Sequence, residues 1–154
     1  MRKLFLLLPA LLLALSGCAT KGGAPFSEAQ VEAGKALVYI YRDDTVDGEW
    51  LPEVWIPGTA APSFDLPNRR YAAVNLAPGK HVVKAMWVRR SDIPEAETTI
   101  TVEPNQTYYV RVLYETHDGA LGKSVVFYMN AKTAVRAVPR EEAMKSLPNT
   151  KSAR

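Results

Sequence analysis

The chain of 154 residues holds one cysteine, Cys18, and two histidines, His81 and His117. A single cysteine excludes an intramolecular disulfide. A structural zinc site takes four ligands at short spacings, and two isolated histidines do not supply them. No metal or other cofactor is expected. The sequence contains no G-x-S-x-G elbow, H-E-x-x-H pair, P-loop or G-x-G-x-x-G turn. No catalytic residue is nominated, and a non-enzymatic role is expected. A hydrolase stays as an alternative only because triads are defined by geometry rather than order. Asp43-x-Thr45-x-Asp47-Gly48 has the outline of a calcium loop. It lacks an acid or amide at Thr45 and a glutamate at Val54, so it reads as a solvated turn. No apolar run approaches the roughly 20 residues that a membrane-crossing helix needs.

The longest apolar run is Leu4 to Leu15, behind Met1-Arg2-Lys3 and ahead of Ser16-Gly17-Cys18. Positive charge, a short apolar stretch and small residues, in that order, form a secretory signal. Leu15-Ser16-Gly17-Cys18 resembles the lipobox of bacterial lipoproteins at every position. The resemblance implies cleavage between Gly17 and Cys18, a diacylglycerol thioether on the Cys18 sulfur, and an acylated amine. A thiolate is the side-chain nucleophile best suited to forming that bond. Two or more acyl chains hold a protein stably on a bilayer. The residue after the cysteine is Ala19 rather than aspartate. By the same resemblance this implies the periplasmic face of the outer membrane rather than the inner membrane.

Cleavage also changes the charge argument. The full chain has 19 basic and 16 acidic residues, a net +3. Arg2 and Lys3 leave with residues 1–17, so the excess falls to +1. Arg69-Arg70 and Arg89-Arg90 are only doublets, without the basic, aromatic-interleaved stretch that nucleic-acid binding calls for. Nucleic acid is not an expected partner.

Residues 18–34 are rich in Ala, Gly, Ser, Thr and Glu, with Pro25, and read as the lipidated cysteine with a flexible tether. From Lys35 onward, β-branched and aromatic runs alternate with turn residues. Lys35–Arg42 is apolar on both faces, as a central strand is. Trp50–Ile56 contains Pro52 and reads as an edge strand. Ser63–Leu66, Arg70–Leu76, Lys80–Val88, Glu97–Glu103, Thr107–Glu115, Lys123–Met129 and Thr133–Val138 complete the strand candidates. In Thr107–Glu115 the set Tyr108, Val110, Val112, Tyr114 points inward, and Tyr109, Arg111 and Leu113 point outward. Pro139 followed by Arg140-Glu141-Glu142 signals a short helix over about 139–147. Residues 148–154 read as a flexible tail. The expectation is an all-β fold: a small antiparallel β-sandwich of about eight strands with one short C-terminal helix, spanning 35–147.

Aromatic residues are the remaining candidates for recognition. Trp50, Trp55, Tyr109 and Leu113 are the candidate ligand contacts, against the plainer reading in which aromatics of this kind fill the sandwich core. Tyr109 and Leu113 alternate away from the core face and either form an exposed patch or face a second layer. The expected role is a binding or scaffolding module for envelope proteins. A glycan- or small-molecule-binding module using these aromatics is the alternative, with cell-wall glycan as ligand.

Ala36-Leu37-Val38-Tyr39-Ile40-Tyr41-Arg42, Leu76-Ala77-Pro78-Gly79-Lys80-His81, Thr107-Tyr108-Tyr109-Val110-Arg111-Val112 and Glu141-Glu142-Ala143 occur in that order. On these pieces, residues 35–147 resemble a bacterial lipoprotein family catalogued as domain of unknown function 2846. The resemblance implies a small lipid-tethered β-sandwich and no catalytic residues. The stretch Trp50 to Asn68 is longer and more proline-rich than the hairpin such a fold implies.

Overall fold

The computed structural model describes residues 23–43, 51–87, 94–115 and 132–153. Gly17, Cys18, Trp50, His117 and the expected strand Lys123–Met129 lie outside these residues. The strands are β1 (Ala36–Arg42), β2 (Pro52–Trp55), β3 (Phe64–Asp65), β4 (Arg70–Leu76), β5 (Gly79–Trp87), β6 (Ala96–Val102), β7 (Thr107–Glu115), β8 (Lys132–Val138) and β9 (Lys151–Ser152). One helix, α1 (Arg140–Ser146), runs into a 3-10 turn, Leu147–Asn149. Two sheets form, in the orders β8-β7-β1-β4-β9 and β3-β2-β5-β6.

β1 sits in the middle of the larger sheet and is buried along its whole length. This is why its sequence is apolar on both faces. Ala36, Val38 and Ile40 point into the sandwich, where they share a core with Val54, Val83, Ala85 and Val102 of the smaller sheet, Leu66 just past β3, and Val110 and Val112 of β7. Arg42 ends that row. It is buried, and its guanidinium lies 4.7 Å from the centroid of the Trp87 ring, a cation–π contact between the sheets. The alternate set Leu37, Tyr39 and Tyr41 points the other way. There it packs with Tyr71, Tyr109, Ala143 and Leu147 into a second cluster.

Four expectations are corrected by the packing and the strand pairing. Residues 23–34 are not a free tether. Phe26 packs edge-on against Tyr39 and Tyr71, each at 5.3 Å between ring centroids. Ala29 N–H donates to the Tyr39 hydroxyl at 2.6 Å, and Phe26 N–H donates to Thr150 O at 3.2 Å. The residues after 147 are not a flexible tail either. Lys151 N–H donates to Arg69 O and Ala153 N–H to Tyr71 O, so β9 pairs with β4. These edges hold because the open β4 backbone offers acceptors that would otherwise go unpaired. The sandwich is not wholly antiparallel: β1 pairs β7 in parallel with Tyr39 opposite Tyr109, and β9 pairs β4 in parallel. Finally, β2 is an inner strand, between β3 and β5. Pro52 is tolerated because it is the first residue of the strand, where its carbonyl accepts from Leu66 N–H at 2.9 Å.

Candidate functional site

The outward row of β1 extends past the strand by one more residue, from Tyr39 and Tyr41 to Asp43. The parallel register sets Tyr41 opposite Arg111. Arg111 therefore reaches Asp43 in a bidentate pair, Nε to Oδ1 at 2.7 Å and Nη2 to Oδ2 at 2.9 Å. This fork-on-carboxylate geometry gives the stronger kind of ion pair. The covering helix adds two groups. Ser146 Oγ donates to Asp43 Oδ2, and Glu142 Oε1 lies 3.5 Å from Arg111 Nη1. Burial works against the Arg111 charge, but the hydrogen bond and charge of Asp43 outweigh it and hold the guanidinium above its ordinary pKa.

A cleft of about 460 Å³ opens beside this pair, lined by Asp43, Arg69, Lys145, Ser146, Asn149 and Thr150. Thr150 Oγ1 donates to Leu147 O and so closes the 3-10 turn that carries Asn149. Arg69 turns the chain into β4 at φ 53, in the left-handed region, and its carbonyl accepts from Lys151. Asp43 is already engaged by Arg111 and Ser146. The cleft is left with two outward cations, Arg69 and Lys145, and reads chemically as a place for an anion.

The Tyr41 hydroxyl lies beneath this network, buried and without a hydrogen-bond partner among the described residues. Burial, followed by the Asp43 charge, pushes its pKa up to about 12, with Arg111 partly opposing. Tyr39 and Tyr109 are pushed up as well, chiefly by burial. From pH 10 upward the unfolded chain releases tyrosine protons that the folded chain still holds. Ionisation then favours unfolding, and the stability present below pH 10 is lost as pH rises toward 12. Tyr41→Phe is expected to flatten this alkaline loss by on the order of 2 kcal/mol. At pH 7 it should raise stability by about 1 kcal/mol, since an unpaired buried hydroxyl is removed. Urea titrations at pH 7 and at alkaline pH check both effects. An equal alkaline loss in the variant would contradict the assignment.

The residues singled out from sequence are not brought together. Tyr109 is 5% exposed and stacks on Tyr39 with centroids 5.8 Å apart. It faces the second layer and is no exposed patch. The polar rim over it is a smaller cleft of about 270 Å³, which Glu28, Asn105 and Arg140 also line. Arg140 Nη2 pairs with Glu28 Oε1 there at 2.6 Å. Leu113 is half-buried, four residues along the same strand and opposite Ala134. Trp55 is half-buried on the outer face of the other sheet, opposite Lys84. It shares no groove with Tyr109 or Leu113, because the sandwich lies between them. His81 Nε2 is 2.8 Å from Ala77 O, so that nitrogen carries the proton and donates to its own turn. Sequence reasoning missed Asp43, Arg69, Arg111, Lys145 and Ser146. One signal was available: Asp43 shares the parity of Tyr39 and Tyr41, and Arg111 shares that of Tyr109.

The arrangement defines a class: an all-β sandwich of two sheets whose larger sheet is roofed by a short helix and an N-terminal segment. The family described as "Protein of unknown function (DUF2846)" matches residues 32–129, and the chain belongs to that family. The match spans β1 through β7 and ends before β8 and α1, so Glu141-Glu142-Ala143 lies outside it. No curated protein and no solved structure matches the chain.

Proposed function

We propose that the protein is a lipid-anchored, non-enzymatic binding or scaffolding module on the periplasmic face of the outer membrane, acting on envelope proteins. The observation that carries this reading is the sequence Leu15-Ser16-Gly17-Cys18, a complete lipobox whose cysteine is the chain's only one. The polar cleft beside Asp43, with the Arg69 and Lys145 cations on its lining, supports a binding role.

The anchor is tested in cells. The wild-type protein is expected in the membrane fraction with an intact mass that includes acyl chains. Cys18→Ser is expected to lose the added mass entirely. An unlipidated wild-type mass would sink the reading. Crosslinking in cells, followed by mass spectrometry, then identifies whether an envelope protein is held.

A further inference from the structure

We infer that the edge of the domain built from β9, the Arg69 turn and the end of α1 faces the bilayer and binds the phosphate groups of anionic phospholipids. This rests on the lipid-anchor reading, which brings the membrane to Cys18. Gly23, five residues on, is already fixed to the body. Its backbone lies so close to β9 that a Cβ there would stand 1.9 Å from Ser152 O and 2.8 Å from an Arg70 guanidinium nitrogen. Ser152 N–H also donates to Ala24 O at 2.7 Å. Five residues span at most about 17 Å. The body therefore cannot stand off from the headgroups, and the edge beside Gly23 is the part closest to them.

That edge is basic. Arg69, Arg70, Lys145 and Lys151 lie along it, with Arg70 opposite Lys151 in the β4–β9 register and Arg69 and Lys145 lining one cleft. Arg69 and Lys151 are exposed and form no ion pair among the described residues. Among the described residues Lys145 has only Glu141, at 3.9 Å, with both side chains largely in water, which counts for little. The acid in the cleft, Asp43, is held in a bidentate pair by Arg111, which also faces Glu142 at 3.5 Å. A phosphate oxygen entering between Arg69 and Lys145 thus meets positive charge, and a guanidinium takes phosphate in a two-point contact. The far face has the opposite balance. The outer side of the smaller sheet presents Glu53, Asp65, Glu95 and Glu97 against Lys80 and Lys84. A negatively charged surface attracts one side of this body and repels the other, which fixes its orientation on a short leash.

The test uses the chain from residue 18 onward with Cys18→Ser, which retains every described residue and is indifferent to acylation. Binding to phosphatidylglycerol–phosphatidylcholine vesicles is compared with binding to pure phosphatidylcholine vesicles. Preference for the anionic vesicles is expected, falling with added salt. Arg69→Asn, Lys145→Gln and Lys151→Gln are each expected to weaken it about fivefold, and the triple variant about a hundredfold. Asn is chosen at position 69 because it accepts the left-handed backbone there. Lys80→Gln, which removes a charge from the far sheet, is expected to leave binding unchanged. Unchanged melting temperatures would accompany these surface variants. Equal binding by the triple variant, equal loss in Lys80→Gln, or equal binding to neutral vesicles would overturn the inference. Tight binding of inorganic phosphate without vesicle preference would also overturn it, and would make the cleft a free-anion pocket. Failure of the anchor itself is read separately, from the intact mass of the wild-type protein.

Discussion

Replacing Tyr39 by alanine is expected to destabilise the protein by about 3–5 kcal/mol, the range for removing a large buried aromatic. Tyr39 is 1% exposed and joins three parts of the outer cluster. Its ring stacks on Tyr109, takes the edge of Phe26, and sits 6.0 Å from Tyr71. Its hydroxyl accepts from Ala29 N–H and donates to Ser27 O. Tyr39→Phe separates these contributions. It keeps the ring and removes only the hydroxyl bonds, so about 1 kcal/mol is expected. In that variant the N-terminal segment loses its hydrogen bonds to Tyr39 but keeps the Phe26 ring contact, and amide exchange at Ala29 should quicken while β1 amides remain protected. Denaturant titration measures the first effect and hydrogen exchange the second. A loss in Tyr39→Phe as large as in Tyr39→Ala would mean that the hydroxyl, rather than packing, fastens the segment.

Asp43→Ala is the other large effect, about 2–3 kcal/mol. Among the described residues it leaves the partly buried Arg111 with only the half-exposed Glu142 at 3.5 Å, and it strands the Ser146 hydroxyl. The estimate stays below the 3–5 kcal/mol of a fully buried broken pair because the Arg111 side chain retains 29% exposure. Arg111→Ala should cost a similar amount, and the double variant less than the sum, since one interaction is being removed twice. Asp43→Asn keeps the shape and one acceptor and should fall between wild type and alanine. Urea titrations of the four chains close the cycle. Strict additivity would show that the two residues do not act together.

The strands were legible because their signals are local. Arg70–Leu76 and Thr107–Glu115 form with the boundaries their sequences give, since alternation and turn residues bracket both. The inward set of β7 was legible for the same reason: Val110 and Val112 are buried in the sandwich. The other side of that strand was not. Alternation places Tyr109 on the outward face but is silent about whether water or protein lies there. Residues 23–34 and 148–153 misled in a related way. They carry few apolar residues, yet they are held by backbone hydrogen bonds to β4 and to each other and by the packing of Phe26 on Tyr39 and Tyr71. Composition does not report backbone pairing. The candidate cleft was hidden for a third reason. Asp43, Arg69, Arg111 and Ser146 are far apart in the chain, and only the parallel β1–β7 pairing and the packing of α1 bring them together.

While the place of β1 in the middle of its sheet came from the pairing of the strands, the sequence by itself determined the all-β class, most strand boundaries, the short helix and the family. These follow from side-chain periodicity, β-branched runs and turn residues, which act over a few positions. The four residues Leu15-Ser16-Gly17-Cys18, on which the proposed anchor rests, are likewise contiguous in the chain. Tertiary structure alone decided that the larger sheet has a roof, that Tyr109 belongs to it, and that Asp43 is paired rather than solvated. It also decided that Gly23 is fastened beside a basic edge. Each of these depends on which surfaces meet across the fold, and contacts between residues dozens of positions apart leave no periodic trace in the chain.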